Sequence, residues 1–594
     1  MGKKEDSINF KNKVLVGITL SLALILASRL FYLQIFQYKT YTQRAQYSTS
    51  RISIIAAPRG IIYDRNKNII ATNKQSISIV AYPNKLKTEE ERIKTYNILS
   101  KILDTNKDKL KRTLLKLPEN APLPIRLQSN LSVKEATLII EKQHMLPGID
   151  IQEEPIRFYP NNELAAHVLG YIAQIDEEEL SKRPERKLGD LVGKAGIERL
   201  FDDVLRGKDG KKIVGVDRFG KPINPSYKHS TIEIQSIPGR NIDLTIDINL
   251  QSVTEEALKN SMASGSALVV NSNTGEILAL ASYPAFDPNV FTKPISLNIW
   301  NQFIANKVFF NRSLLAYAPG SIWKPITLFA ALDAKVIKPD DKLKVGEAVY
   351  LGSTRFGDWT SKEAVYSLQE SLAWSRDTAF YQLAQKLTPE DISRWGLKLG
   401  AGRKSGIELI GEEVGIVPDS KWKEEQIGEQ WYPGNTLHYS IGQGFLLITP
   451  LQIARIYSAI ANGSKVPKLQ LIKTIDRYIK PLQIAESYKV DPSYLEIVRE
   501  GLEMCVDSGT GGVSKLENVK VAGKTGSAEV VGSKKTHSWF VAYAPAENPE
   551  ITVVVINEKA GHGGSVAAVV AKKILSNYFK EDENKEKEEL AKTD

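Results

Sequence analysis

From Val14 to Phe36 the chain runs 23 residues with a single charge, Arg29. As a helix rising 1.5 Å per residue this stretch reaches about 35 Å, enough to cross the hydrocarbon core of a bilayer. Such a segment limits the fold strongly, because backbone groups in lipid must be satisfied within the segment itself. A cleaved signal peptide is the competing reading, but cleavage after Ala27 or Ser28 puts Ile25 or Leu26 where a small residue is needed. The run is therefore expected to persist as an anchor. Lys3, Lys4, Lys11 and Lys13 outnumber Glu5 and Asp6 before it, so the positive-inside tendency leaves residues 1–13 in the cytoplasm and the rest outside. Lys39, Arg44 and Arg51 on the far side pull against that orientation. Arg29 lies toward the outer third, where its side chain can snorkel to the interface.

The remaining chain is too long for one ordinary core: 594 residues suggest three or four units, or one large domain with a smaller companion. Hydrophobic residues at 42% and charged residues at 25% are those of a folded protein rather than a disordered one. The net charge of +10 is modest for this length and no nucleic-acid module accompanies it, so a nucleic-acid partner is not expected. Cys505 is the only cysteine, which excludes an intramolecular disulfide and any multi-cysteine zinc site. Its neighbours Met504 and Val506 make it a small core residue.

Residues 38–240 mix short strand-like runs (Ile52 to Ala56, Ser76 to Val80, Ile149 to Ile151) with a charged helical stretch from Thr88 to Lys116. They read as a non-catalytic, β-rich spacer or docking module. The linker Ser236 to Arg240 precedes a more regular unit, residues 241–580, followed by a charged tail, 581–594. In that unit a helix around Leu250 to Met262 leads to strands Gly265 to Asn271 and Ile277 to Ser282. A mainly helical stretch, 295–515, intervenes before strands near Val519 to Ala522, Thr536 to Tyr543 and Ile551 to Ile556 and a helix from Ser565 to Phe579. Val566, Val569, Val570, Ile574 and Leu575 make that last helix amphipathic. The order predicts an α+β domain: an antiparallel sheet covered on one face by helices, with a helical subdomain beside it.

Three short patterns carry chemistry. Ser321 and Lys324 in Pro319-Gly320-Ser321-Ile322-Trp323-Lys324 are three apart, which on a helix puts hydroxyl and amine on one face. Free N–H groups at a helix start also stabilise developing negative charge. Ser375, Arg376 and Asp377 follow 54 residues later, ahead of a helical segment. Lys524, Thr525, Gly526 and Ser527 follow the strand-like Val519 to Ala522, and Gly526 is small enough to let substrate lie close to the backbone. Each has decoys. Ser420 with Lys423 repeats the first spacing but enters a charged run and reads as an exposed helix cap. Ser7 to Asn9 and Ser296 to Asn298 repeat the second in the wrong places, and Lys404 to Gly406 repeats the third among turn residues. His537 and His562 are assigned no role, and Trp323 and Trp539 read as packing or groove walls.

Taken in order, Ser-x-x-Lys, Ser-x-Asp and Lys-Thr-Gly resemble the signature of the acyl-serine penicillin-binding superfamily. Arg59 to Arg65, His167 to Tyr171 and Gly193 to Gly207 resemble pedestal segments of its class B members, and Thr245 to Gln251 resembles the opening of their transpeptidase domain. Asp377 followed by Thr378, Ala379, Phe380 and Tyr381 is similar to the elongation branch, penicillin-binding protein 2, whereas division-specific relatives usually carry Asn at the third position. The resemblance implies a D,D-transpeptidase that cross-links peptidoglycan stem peptides and is acylated by β-lactams. Ser321 would be the nucleophile and Lys324 its base, once neutral through burial and the like charge of Lys524. Ser375 would hand a proton to the leaving amine. Asp377 would position its motif beside the substrate, Lys524 with Thr525 would hold its carboxylate, and the N–H groups of Ser321 and Ser527 would form an oxyanion hole. Implied partners are the membrane, a SEDS-family (RodA-like) glycan polymerase and other elongation-complex proteins, at the inner membrane with the catalytic domain outside the cytoplasm. No cofactor is implied. Some relatives bind zinc between the first two motifs, but Arg376 stands where they carry cysteine and no His lies between Ser321 and Ser375, so no metal is expected. A division-specific transpeptidase and a β-lactam-sensing receptor are the alternatives; a receptor would need several spans and an internal signalling domain.

Overall fold

The computed structural model describes residues 2–38, 41, 50–103, 105–118, 123–215, 231–293, 295–463, 465–482 and 484–581. Lys39, Arg44 and the expected charged tail beyond Glu581 lie outside these residues. A helix, α1 (Gly2–Phe31), continues into one π turn, Tyr32–Phe36. Its apolar stretch, Asn12–Phe36, has a mean hydropathy of 2.2 and is not buried against the other described residues. Length and composition suit a membrane anchor.

In the pedestal the strand Ile69–Ala81 forms a long antiparallel ladder with Ile149–Phe158, from Thr72 opposite Phe158 to Ala81 opposite Ile149. The charged stretch expected as one helix is two, Glu89–Ile102 and Lys107–Leu115. Each has its own start signal: Thr88 and Glu91 close a capping box, and the Asn106 side chain accepts from Lys109 N. A buried ionic cluster fastens the segment after Arg59 to the rest. Arg59 reaches Glu198 at 2.6 Å and Asp202 at 2.9 Å, and Arg157 reaches Glu198 at 2.5 Å. The two halves of the chain also share one sheet, since Ile242–Leu244 pairs in parallel with Ile62–Tyr63 and antiparallel with Ile472–Ile475.

Next come α2 (Ile248–Asn260), capped by the Asp247 side chain, and the hairpin β1 (Gly265–Asn271) and β2 (Ile277–Tyr283). The helical stretch follows with α3 (Lys324–Asp333), α4 (Leu368–Ala373), α5 (Asp377–Ala384), α6 (Pro450–Asn462) and α7 (Pro492–Asp507). Then come β3 (Ala522–Ala528), β4 (His537–Ala544), β5 (Ile551–Asn557) and α8 (Ala567–Tyr578). The five strands form an antiparallel sheet in the order β2-β1-β5-β4-β3, with β3 at the edge.

This sheet is covered on both faces, not one. Ala267, Val269, Phe540, Ala542, Val553 and Val555 share a core with α2 and α8. The alternate residues Leu268, Val270, Trp539, Val541, Val554 and Ile556 share the other core with α3 and α6. A strand buried on both sides reads as an unbroken apolar run, as Val553 to Ile556 does, so the helical insert is the second cover rather than a neighbour. On α8, Val570, Ile574 and Leu575 face inward with Ala567, Ala568 and Ala571, while Val569 is exposed.

Candidate active site

Ser321 sits in a single 3-10 turn, Gly320–Trp323, that runs directly into α3. The turn is held by close backbone approach. Gly320 has φ +59°, and a Cβ there would lie 2.5 Å from the carbonyl oxygen of Ser527. Its N–H donates to Gly442 O at 2.9 Å. Only glycine combines the left-handed backbone with that approach.

Lys324 begins α3 and has no exposed surface. Its Nζ donates to Ser375 O at 2.7 Å, to Ser375 Oγ at 3.2 Å and to Asp377 Oδ1 at 2.6 Å. These three acceptors match the three donors of an ammonium group. Among the described residues no hydrogen bond joins Lys324 to Ser321, so the amine meets the second motif rather than Ser321 one turn away. Asp377 accepts from Lys324 through Oδ1 and thereby ties its motif to that amine.

Ser375 is buried in the turn between α4 and α5, just ahead of the helix as expected, and has φ +54°. A non-glycine residue in that region costs about 1–2 kcal/mol, so its surroundings must hold it. Arg376 does so. Its guanidinium is buried and donates to Asp358 Oδ1 at 3.2 Å, Tyr366 OH at 3.1 Å and Lys362 O at 2.9 Å. The other Asp358 oxygen accepts from Thr378 N at 3.0 Å. Thus the Arg376 guanidinium, braced by the Asp358 carboxylate, stands where the resemblance puts a metal-ligating cysteine. Among the described residues no group of three or more His, Cys, Asp or Glu could hold an ion.

The third motif lies inside β3 rather than after it, paired along β4 from Lys524 opposite Val541 to Ser527 opposite Ser538. Lys524 is fully buried and donates to Thr525 O at 3.1 Å. Burial pulls its pKa down to about 8, Lys324's like charge adding to the effect. Gly526 is needed for packing. A Cβ there would lie 2.9 Å from Ile322 Cγ2 and from Pro319 O, so the edge strand rests on the Ser321 turn. Behind it lies Gly563, whose Cβ would fall 2.4 Å from both Gly526 O and Trp539 O. Ser527 Oγ accepts from Gly563 N at 3.3 Å, and Ser527 O accepts from Gln443 Nε2 at 3.4 Å.

Ser321, Lys324, Ser375, Asp377, Lys524, Thr525, Gly526 and Ser527 are therefore brought together. Sequence reasoning missed Asp358, Gly442, Gln443, Thr510 and Gly563. The signal for most of them was glycine clustering, at Gly442 to Gly444, Gly509 to Gly512 and Gly561 to Gly564. At the decoy, Asp419 rather than Ser420 caps the helix Ser420–Ile427, because its carboxylate accepts from Trp422 N at 2.7 Å. Lys423 is buried on Gln430 O, far from the role of a base. Trp539 packs with Nε1 on Ala318 O at 3.0 Å, and Cys505 is a buried core residue.

Fold and site define a serine acyl-transferase in which a buried lysine links the Ser321 helix to a second serine. The description "Penicillin binding protein transpeptidase domain" matches residues 265–576, and "Penicillin-binding Protein dimerisation domain" matches residues 54–244. The peptidoglycan D,D-transpeptidase MrdA of Haemophilus influenzae is 29% identical, over 97% of this chain and 93% of that protein. MrdA of Escherichia coli K12 is also 29% identical, over 98% and 96%. The solved complex between penicillin-binding protein PBP2 and MreC from Helicobacter pylori matches with a TM-score of 0.77 and 26% identity, covering 89% of this chain and 99% of that one. The chain belongs to the penicillin-binding protein transpeptidase family, and it is a serine-type transpeptidase.

Proposed function

We propose that this enzyme cross-links peptidoglycan stem peptides during cell elongation. Ser321 Oγ attacks the carbonyl of the penultimate D-alanine, the bond to the terminal D-alanine breaks, and that residue leaves as the free amino acid. The acyl-enzyme is then attacked by an amine of a neighbouring stem, which restores the Ser321 hydroxyl. Lys324 takes the serine proton after releasing one of its own, and Ser375 Oγ, 3.2 Å from Nζ, is placed to relay it to the leaving amine. Asp377 holds Lys324 in place. Lys524 has two donors beyond its bond to Thr525 O, and with the Thr525 hydroxyl they suit a terminal carboxylate. The N–H groups of Ser321 and Ser527 would stabilise the oxyanion, one such donor commonly contributing ~10² to 10³ in turnover. No step calls for a cofactor.

Residues 38–240 would serve as pedestal and 241–580 as the catalytic domain, held outside the cytoplasmic membrane by the anchor. Contact with a RodA-like glycan polymerase and other elongation proteins would run through anchor and pedestal, a reading supported by the likeness to a penicillin-binding protein solved with MreC.

One observation carries the reading: the Lys324 amine touches Ser375, 51 residues away, while the Ser321 turn packs on Gly526. Labelling with a fluorescent penicillin, followed by peptide mapping, should place the adduct on Ser321. An adduct elsewhere, or equal labelling of Ser321→Ala, would falsify the assignment.

A further inference from the structure

The loop after α7 contains a hydroxyl that the mechanism above does not use. Gly509 brings this loop against the end of α4, since a Cβ there would lie 2.5 Å from Ala373 O. Thr510 N donates to the same carbonyl at 3.3 Å. The loop is thereby wedged between the helix that leads to Ser375 and the edge strand. Thr510 Oγ1 then lies 2.6 Å from Thr525 Oγ1, with Cys505 Sγ and Ala373 O each at 3.4 Å. Among the described residues Thr525 Oγ1 has no other hydrogen-bond partner.

We propose that Thr510 is a positioning residue that sets the direction of the Thr525 hydroxyl proton, and so makes the site selective for substrates ending in a carboxylate. The inference rests on the functional reading above, in which Lys524 and Thr525 receive that carboxylate. Each hydroxyl has one proton to donate and can accept at its lone pairs. A carboxylate only accepts, so Thr525 must donate to it and can then only accept from Thr510. Thr510 in turn gives up its long contact with Ala373 O, donates to Thr525 and accepts from the Cys505 thiol, a weak donor. The result is one directed chain, from Cys505 through Thr510 and Thr525 to the anion. Without the Thr510 hydroxyl, the Thr525 proton is no longer fixed toward the ligand. A neutral ester at the same position asks less of that donor, because hydrogen bonds to charged acceptors are the stronger ones.

The test uses the detergent-solubilised full chain and two compounds, a penicillin with its free carboxylate and the methyl ester of the same penicillin. The second-order acylation rate is measured for each. Thr510→Val should lower the ratio of acid to ester rate about tenfold, the scale expected for one hydrogen bond serving a charged group. Thr510→Ser, which keeps the hydroxyl, should stay within about twofold of wild type in that ratio. Because both compounds report on the same Ser321, a folding defect slows both together. Equal slowing of acid and ester in Thr510→Val, or no change in either, overturns the inference while leaving the enzyme assignment intact. A wild-type chain that neither compound acylates overturns the functional reading and this inference with it.

Discussion

Lys324 and Lys524 are both fully buried lysines, yet their surroundings differ. Lys324 has a carboxylate 2.6 Å away; Lys524 has one carbonyl at 3.1 Å. Removing one member of a buried ion pair leaves a charge uncompensated, at a cost of about 3–5 kcal/mol when both are dry. Asp377 is 21% exposed, so Asp377→Ala should cost about 1–3 kcal/mol by urea unfolding and Asp377→Asn less. Lys524 predicts opposite effects of alkali on function and stability. Its folded pKa of about 8 lies below the unfolded value, so the unfolded chain holds its proton to higher pH. This lysine's contribution to stability is fully present above the unfolded pKa and is lost as pH falls through about 8. Recognition of a carboxylate needs the charged form, so acylation by a carboxylate-bearing penicillin should decline as pH rises through about 8, in a stopped-flow pH series. A rate still climbing well above that pH would remove Lys524 from the anion site.

At the scale of elements, the site is a stack in which β3 is pressed between the Ser321 turn and the Gly561 to Gly564 segment. Glycines permit both contacts. Gly563→Ala would drive a methyl toward two backbone oxygens 2.4 Å away, and should destabilise the chain by ~1–3 kcal/mol while slowing acylation through displacement of β3. Gly428→Ala is the control: φ is +78° there but no atom lies within 4 Å of the new Cβ, so only the left-handed backbone cost of ~1 kcal/mol is expected, with acylation unaffected. Equal effects on acylation would mean that the stack does not hold the site. Much of this level was legible. The apolar run Gly265 to Asn271, followed by the turn Asn273 to Gly275, predicts the strand that forms there. The third motif reads as following its strand because Lys524 and Gly526 are poor strand formers alone; pairing with β4 overrides that preference.

Across the whole molecule, pedestal and catalytic domain share a sheet and a core. Ile62, Ile70, Tyr159, Val168 and Ile197 belong to the same buried cluster as Ile322, Ile326 and Trp539. A segment of residues 241–580 alone exposes that surface and leaves Ile242–Leu244 without its parallel partner. It should therefore melt several degrees below a chain lacking only the anchor, by differential scanning calorimetry, since ~1 kcal/mol already shifts a domain of 150–250 residues by ~2–4 °C. Equal melting temperatures would make the junction a mere linker. The sequence by itself determined the apolar N-terminal helix, from length and composition, and the three motifs from which the reacting groups are proposed, because residue types and local spacing are one-dimensional properties. Only the tertiary structure decided that Lys324 meets Ser375 and Asp377, that Ser375 takes a left-handed backbone, that Asp358 braces Arg376, and that Thr510 reaches Thr525. These contacts join residues far apart along the chain, and which hydroxyl or carboxylate a buried donor meets is settled by packing around it.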